Sequence, residues 1–395
     1  MLNESVLAEL NERLAPVDAA LRRNYPGEPF SRRQPVHTVY VPADRYESGL
    51  PAAYGRAAIA AVEAHGPLPF SDAITERVLV KLGSEPIEDL RIDFEDGYGV
   101  RPDDEEDAAA ETAAAVVRAG AGVPFVGLRC KSLEASTRRR AVRTLDVFLS
   151  TLGAPPPGFV VTLPKVSAVE QVEAMVVLCV RLENAHGLAA GSLRFEIQIE
   201  TPPAVIGADG VVTVARMAHA AAGRCVGLHY GTYDYSASVG IAAQYQSMEH
   251  PAADFAKAVM QVAAAGTGVR LSDGSTNILP VGPTEDVRAA WELHARLVRR
   301  SLERGYYQGW DLHPAQLPTR FGATYTFYRS AVPAVVSRLR NYLGRGGGLG
   351  DERRKRILDE PATARALARF LLRGLNCGAL DPREIGFDRS TLESL

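Results

Sequence analysis

The sequence predicts an α/β chain whose parallel strands close into a TIM-type (β/α)8 barrel. Three observations point there. Eight short β-rich runs recur along the chain, seven between Val36 and Leu271 and the last over Gly309 to His313. Helix-like runs separate them, as crossover connections require. No GxGxxG follows the first run, which argues against an open dinucleotide-binding sheet.

The first run is Val36 to Ala43, and the second is Leu90 to Gly97. Pro124 to Cys130, Phe159 to Val166, Leu193 to Glu200 and Arg224 to Tyr230 follow. Two weaker runs, Gly268 to Leu271 and Gly309 to His313, complete the eight. Between them Asp104 to Ala119 is Ala-rich with an acidic first turn, which suits the positive end of a helix dipole. Ala168 to Ala185 places Val169, Val172, Val176, Cys179 and Leu182 on one stripe. Thr284 to Arg304 does the same with Val287, Trp291, Leu297 and Leu302. Residues 1–34 are expected to add a helix, Ser5 to Arg23, outside a barrel of residues 35–317. Residues 318–395 are expected to form a C-terminal helical segment serving as a lid or in oligomerisation. It contains Gly344 to Gly350, which lacks a following GK[ST] and fits a hinge better than a phosphate loop.

Composition narrows the function classes. Hydrophobic residues make up 46% of 395 and charged residues 23%, enough to build a sizeable core. The balance of 44 Lys plus Arg against 47 Asp plus Glu leaves no basic excess for nucleic acid. Cys130, Cys179, Cys225 and Cys377 form no CxxC, so neither a disulfide framework nor a structural zinc site is expected. The N-terminal residues lack a signal-peptide core and no apolar run reaches membrane-spanning length. A soluble, cytoplasmic enzyme is the expectation.

In such a barrel the active site lies at the C-terminal strand ends. Those ends carry Asp93, Glu95, Asp96, Arg129, Lys165, Glu200, Asp234, Asp311 and His313. Clustered carboxylates repel, and a divalent cation is the usual remedy. Glu200 and Asp234 are the best ligand pair, and oxygen donors favour Mg²⁺, with Mn²⁺ the alternative. The competing roles are a helix N-cap for Glu200 and a turn residue for Asp234. Arg129 suits bidentate binding of a carboxylate, or a structural salt bridge to Glu95 or Asp93. Carboxylates around Lys165 would keep it protonated, which favours an electrostatic role over a Schiff base. His229 reads as a satisfied core residue, and His313 as either a loop-fixing or a functional residue.

These strand ends resemble a known family. Tyr40-Val41-Pro42-Ala43-Asp44-Arg45, Asp93-Phe94-Glu95-Asp96, Leu128-Arg129, Leu163-Pro164-Lys165-Val166, Ile199-Glu200-Thr201, Gly231-Thr232-Tyr233-Asp234-Tyr235 and Leu312-His313-Pro314-Ala315-Gln316 appear in order. Together they resemble the citrate lyase β subunit and malyl-CoA lyase, within the HpcH/HpaI aldolase–citrate lyase superfamily. Asp96 stands where the pyruvate-aldolase branch carries His, which favours the lyase branch. The resemblance implies a Mg²⁺-dependent carbon–carbon lyase acting beside a carbonyl in a 2-oxo or 2-hydroxy acid or its acyl-CoA ester. A pyruvate-releasing aldolase on a free sugar acid and a non-catalytic metabolite-binding barrel are the alternatives. Glu200 and Asp234 would hold the metal, and Glu95, Asp96, Lys165 and Arg129 would surround the substrate. Ile357-Leu358-Asp359-Glu360-Pro361 resembles the family's C-terminal segment, implying Asp359 as acid/base; an N-cap before Pro361 is the competing role. The resemblance also implies a carboxylate substrate and a homo-oligomer, trimer or hexamer.

Overall fold

The computed structural model describes residues 4–27, 33–344 and 360–395. Eight parallel strands run in the order β7-β6-β5-β4-β3-β2-β1-β8. They are β1 (His37–Pro42), β2 (Asp89–Asp93), β3 (Phe125–Arg129), β4 (Val160–Leu163), β5 (Arg194–Ile199), β6 (Cys225–Tyr230), β7 (Arg270–Ser272) and β8 (Gly309–Asp311). A bridge between Ser272 and Gln308 joins the two ends, helped by the Asp273 N–H donating to the Gln308 carbonyl at 2.8 Å. The sheet is thus a nearly closed TIM barrel, and all eight expected strands are present.

Helices fill the crossovers. They are α2 (Leu50–His65) and α3 (Asp72–Ser84) after β1, α4 (Asp103–Gly120) after β2 and α5 (Arg138–Leu152) after β3. Next come α6 (Val169–Ala185) after β4, α7 (Pro202–Val205) and α8 (Thr213–Ala220) after β5, and α9 (Thr232–Ser238) and α10 (Pro251–Ala264) after β6. The last two are α11 (Thr284–Glu303) after β7 and α12 (Leu317–Leu343) after β8. The first turn of α4 is Asp103, Asp104, Glu105 and Glu106, which meets the exposed N–H groups there. Outside the barrel lie α1 (Glu4–Asn24) and α13 (Pro361–Asn376), the latter packed on α12. Two short helices, Pro382–Ile385 and Arg389–Glu393, end the chain. The expected hinge lies outside the described residues except for Gly344.

The strands alternate with period two. Leu90, Ile92, Phe195, Ile197 and Ile199 are fully buried in the apolar core. Their neighbours Asp89, Arg91 and Asp93 on β2, Glu196 and Gln198 on β5, and Glu200 just beyond it, take the lumen side. Barrel lumens are commonly filled by branched apolar residues; this one holds charges. Arg91 reaches from β2 across to β5, donating to both oxygens of Glu196 at 3.0 Å, and it also pairs with Asp89. Thr162 donates to Glu196 at 2.5 Å and Thr38 to Asp89 at 2.9 Å. His229 lies 3.0 Å from Glu196 and accepts from Trp310 at 3.2 Å, so it is a satisfied interior residue as expected.

Candidate active site

The mouth above this charged layer gathers the strand-end residues. Asp93 is buried at the end of β2 and accepts four hydrogen bonds. The backbone N–H groups of Glu95 and Gly97 donate at 2.9 Å each. Arg129 donates through Nε at 2.7 Å and Nη2 at 2.6 Å. One edge of the guanidinium is therefore committed to Asp93. Its remaining nitrogen, Nη1, faces Glu95 at 3.3 Å and the Gln198 carbonyl oxygen at 3.5 Å. The Tyr40 ring lies beneath, 4.8 Å from the guanidinium carbon, which adds a cation–π contact. The structural ion pair and a substrate role for Arg129 are thus compatible.

Lys165 follows β4 in a left-handed conformation, φ +52°, which a side chain other than glycine adopts only at a cost of about 1–3 kcal/mol. That turn aims its backbone N–H at Glu200 Oε1, 2.7 Å away. It also sends the ammonium into the mouth, 2.8 Å from Asp234, 3.0 Å from Asp96 and 3.8 Å from Glu95. Burial opposes the Lys165 charge, but Glu200, Asp234, Glu95 and Asp96 outweigh it and hold its pKa above the ordinary lysine value. A neutral, Schiff-base lysine does not suit such a setting.

Glu200 lies just beyond β5 and is 1% exposed. Burial pushes its pKa up to about 7, and the charge of Asp234 adds to the rise despite Lys165 and Arg129. It caps no helix: Thr201 holds the N-cap place of α7, and Glu200 turns to Lys165 instead. Gly231, after β6, makes room for it. A Cβ at 231 would fall 2.5 Å from Glu200 Cβ and 2.7 Å from Oε2. Asp234 sits in the first turn of α9 with a half-exposed side chain. Burial also raises the Glu95 pKa to about 8, with the Asp96 charge adding to the rise. Asp96 itself is lowered: burial would raise it, but hydrogen bonding and charge from Lys165 win.

One strand-end residue belongs elsewhere. Asp311 alternates with lumen-facing Trp310 and so lies on the opposite face of β8. It is fully buried between His37 at 2.7 Å, His294 at 3.2 Å and Arg320 at 2.9 Å. His313 accepts from the Ala315 N–H at 3.2 Å and fixes its loop. Asp359 lies outside the described residues. Sequence reasoning missed Gln198, which is fully buried beside Arg129 with its Nε2 unpartnered among the described residues. Its signal was the alternation Glu196, Gln198, Glu200.

Among the described residues no three His, Cys, Asp or Glu side chains gather as a complete metal cage. The carboxylates present still fit a cation. Among the described residues, Asp93, Glu95, Asp96, Glu200 and Asp234 pair with Arg129 and Lys165, five carboxylates against two cations. Burial, with the charge of neighbouring carboxylates, holds Glu200 and Glu95 high even beside Lys165 and Arg129, and a further cation would relieve it.

A profile described as Domain of unknown function (DUF6986) matches residues 14–395. The chain belongs to the DUF6986 family. No curated protein matches it. Solved structures share the fold. A citrate lyase from Burkholderia xenovorans LB400 is 20% identical, covering 82% of this chain and 98% of its own, with a TM-score of 0.62. The CitE protein of Mycobacterium tuberculosis, in complex with magnesium, acetoacetate and coenzyme A, is 17% identical over 88% of this chain and 98% of its own, at 0.52. Haloferax volcanii malate synthase, in a magnesium/glyoxylate complex, is 13% identical over 92% and 98%, at 0.51. This DUF6986 chain therefore shares its barrel fold with these citrate lyase and malate synthase structures. Among its described residues no helix is long and apolar enough to cross a membrane.

Proposed function

We propose that the chain is a Mg²⁺-dependent carbon–carbon lyase or aldolase. Its substrate is a 2-oxo or 2-hydroxy acid, or the acyl-CoA ester of one. The observation that supports this most is the mouth itself, where Glu200 and Asp234 flank Lys165 beside an Arg129 pinned by Asp93. Glu200 and Asp234 would hold the divalent ion, which supplies Lewis-acid polarisation of substrate oxygens when bound.

The protein's own groups do the rest. Asp93 fixes the guanidinium plane, so Arg129 Nη1 can donate to a substrate carboxylate or carbonyl oxygen without reorienting. Lys165 stays charged and balances the carboxylates around the developing negative charge. Burial of Glu200 and Arg129 keeps the inner wall of the site dry, where each fixed charge acts more strongly than in water. Proton transfer falls to Asp359 in this proposal, as does assembly into a homo-oligomer to the C-terminal helices.

Calorimetric titration with Mg²⁺, paired with a screen for Mg²⁺-dependent release of pyruvate, oxaloacetate or glyoxylate, tests the proposal. Glu200→Gln should weaken Mg²⁺ binding at least tenfold and abolish release. Unchanged affinity in that variant would remove Glu200 from the metal site.

A further inference from the structure

Helix α1 spans 21 residues, none of them buried. Leu7, Leu10, Leu14, Val17 and Leu21 are exposed by 52, 48, 47, 49 and 51%. Their spacing of three, four, three and four residues is a heptad pattern, with Leu7, Leu14 and Leu21 at a and Leu10 and Val17 at d. Uniform exposure means that no part of the stripe leans on the barrel. The end of the helix is nevertheless fixed. Tyr25 stands edge-on to His219 at 5.6 Å, and the Gly27 N–H donates to the Gly266 carbonyl at 2.9 Å. An anchored helix thus presents a continuous apolar seam.

We propose that α1 pairs in parallel with α1 of a second copy of this chain. Charge placement supports this occupant. Arg13 falls at g and Asp18 at the following e, the two positions that meet across a parallel pair. By symmetry the contact forms twice. In an antiparallel pair g faces g and e faces e, and the two charges miss each other. Pro16 falls at c, away from the seam. The polar residues include Glu4, Glu9, Glu12 and Asp18 against Arg13, Arg22 and Arg23. That balance lacks the basic excess of a helix that lies on an anionic membrane. Two heptads and one further a position make a short seam, so the association depends on concentration.

The four native cysteines are buried, so one introduced on α1 is the accessible thiol. In the full-length protein under mild oxidation, Leu10→Cys should run mainly as a covalent dimer on a non-reducing gel. Glu9→Cys, on the outer face at c, should link at least tenfold less. Adding Leu14→Glu to Leu10→Cys should cut the dimer yield at least tenfold. Equal linking of Leu10→Cys and Glu9→Cys, or yield insensitive to Leu14→Glu, would overturn the proposal whatever other subunit contacts exist. So would co-sedimentation of the unmodified protein with phosphatidylserine vesicles that Leu14→Glu abolishes, which would assign the seam to a lipid surface.

Discussion

Gly231→Ala is the most direct structural test of the Glu200 position. Gly231 has φ −94° and ψ 99°, a conformation that alanine adopts freely. The substitution therefore adds a contact and no backbone strain. The new Cβ would fall 2.5 Å from Glu200 Cβ and 2.7 Å from Oε2, where carbon atoms normally keep about 3.5–4.0 Å. About 1 Å must open between β5 and β6, because rotation of Glu200 would move its Oε2 but leave its Cβ where the backbone holds it. The Gly231 N–H donates to the Ile199 carbonyl at 3.1 Å and ties the two strands at this point. The relief therefore shifts the backbone that carries Glu200 and displaces its carboxylate with it. Overpacking costs about 1–3 kcal/mol, offset by about 0.4–1 kcal/mol from the stiffer unfolded chain. A net loss of about 1–2 kcal/mol is expected, and a tenfold weaker Mg²⁺ affinity if Glu200 is a ligand. Denaturant unfolding and Mg²⁺ calorimetry read the two effects separately. Gly83→Ala, near the end of α3 with open space around its Cβ position, is the control and should be neutral or stabilising. Native Mg²⁺ affinity in a destabilised Gly231→Ala would refute Glu200 as a ligand. Native stability would refute the close approach itself.

Arg129→Lys keeps the charge but loses the two-pronged grip on Asp93, so turnover should fall about 100-fold or more while circular dichroism stays native; near-native kcat/KM would remove Arg129 from the chemistry. Arg91→Leu leaves Asp89 and Glu196 buried without their cation and should cost about 3–5 kcal/mol by denaturant unfolding, where a loss under about 1 kcal/mol would contradict the cross-lumen pairing. Arg224, donating at 2.6 and 2.8 Å, and the N–H groups of Leu193 and Gly191 lower the Glu183 pKa to about 2. A depressed carboxylate stabilises above its unfolded pKa of about 4.3 and loses that contribution as pH falls toward 2. The stability gap between wild type and Glu183→Gln should therefore be full at pH 6–8 and shrink on acidification, and a gap constant with pH would count against the pairing.

The strands were legible because their outer faces are apolar and bounded by glycine and proline. Each expected run overlaps an observed strand, and β5 differs from its expected span by one residue at each end. The site was legible in its inventory and less so in its connections. Glu200, Lys165 and Asp234 could be named from strand ends, but the bond from the Lys165 backbone to Glu200 depends on a left-handed turn that no residue type announces. Asp311 was misplaced because strand-end position alone does not say which face a residue takes. Counting the period from Trp310 would have turned it outward. Gln198 was overlooked for the opposite reason, since attention to strand ends passed over the residue one pleat below.

The same one-pleat step explains why the lumen is charged. A buried ion pair gives little net stability over apolar packing, so the Arg91–Glu196 contact needs another account. Strands β2 and β5 are separated by β3 and β4, and Arg91 is a strut between them across the lumen. Two residues above Arg91 stands Asp93, which orients Arg129. Two above Glu196 stands Gln198 beside Arg129, and two above that Glu200. A strut in this layer therefore fixes the register and facing of both strands directly beneath the groups they deliver. An apolar filling would pack as densely but, being non-directional, would tolerate small slides between strands. At the mouth, hydrogen bonds of 2.6–2.7 Å set the plane of Arg129, and a slide of half an ångström would degrade them. The directional contacts below are thus the physical means by which the directional contacts above are held in place.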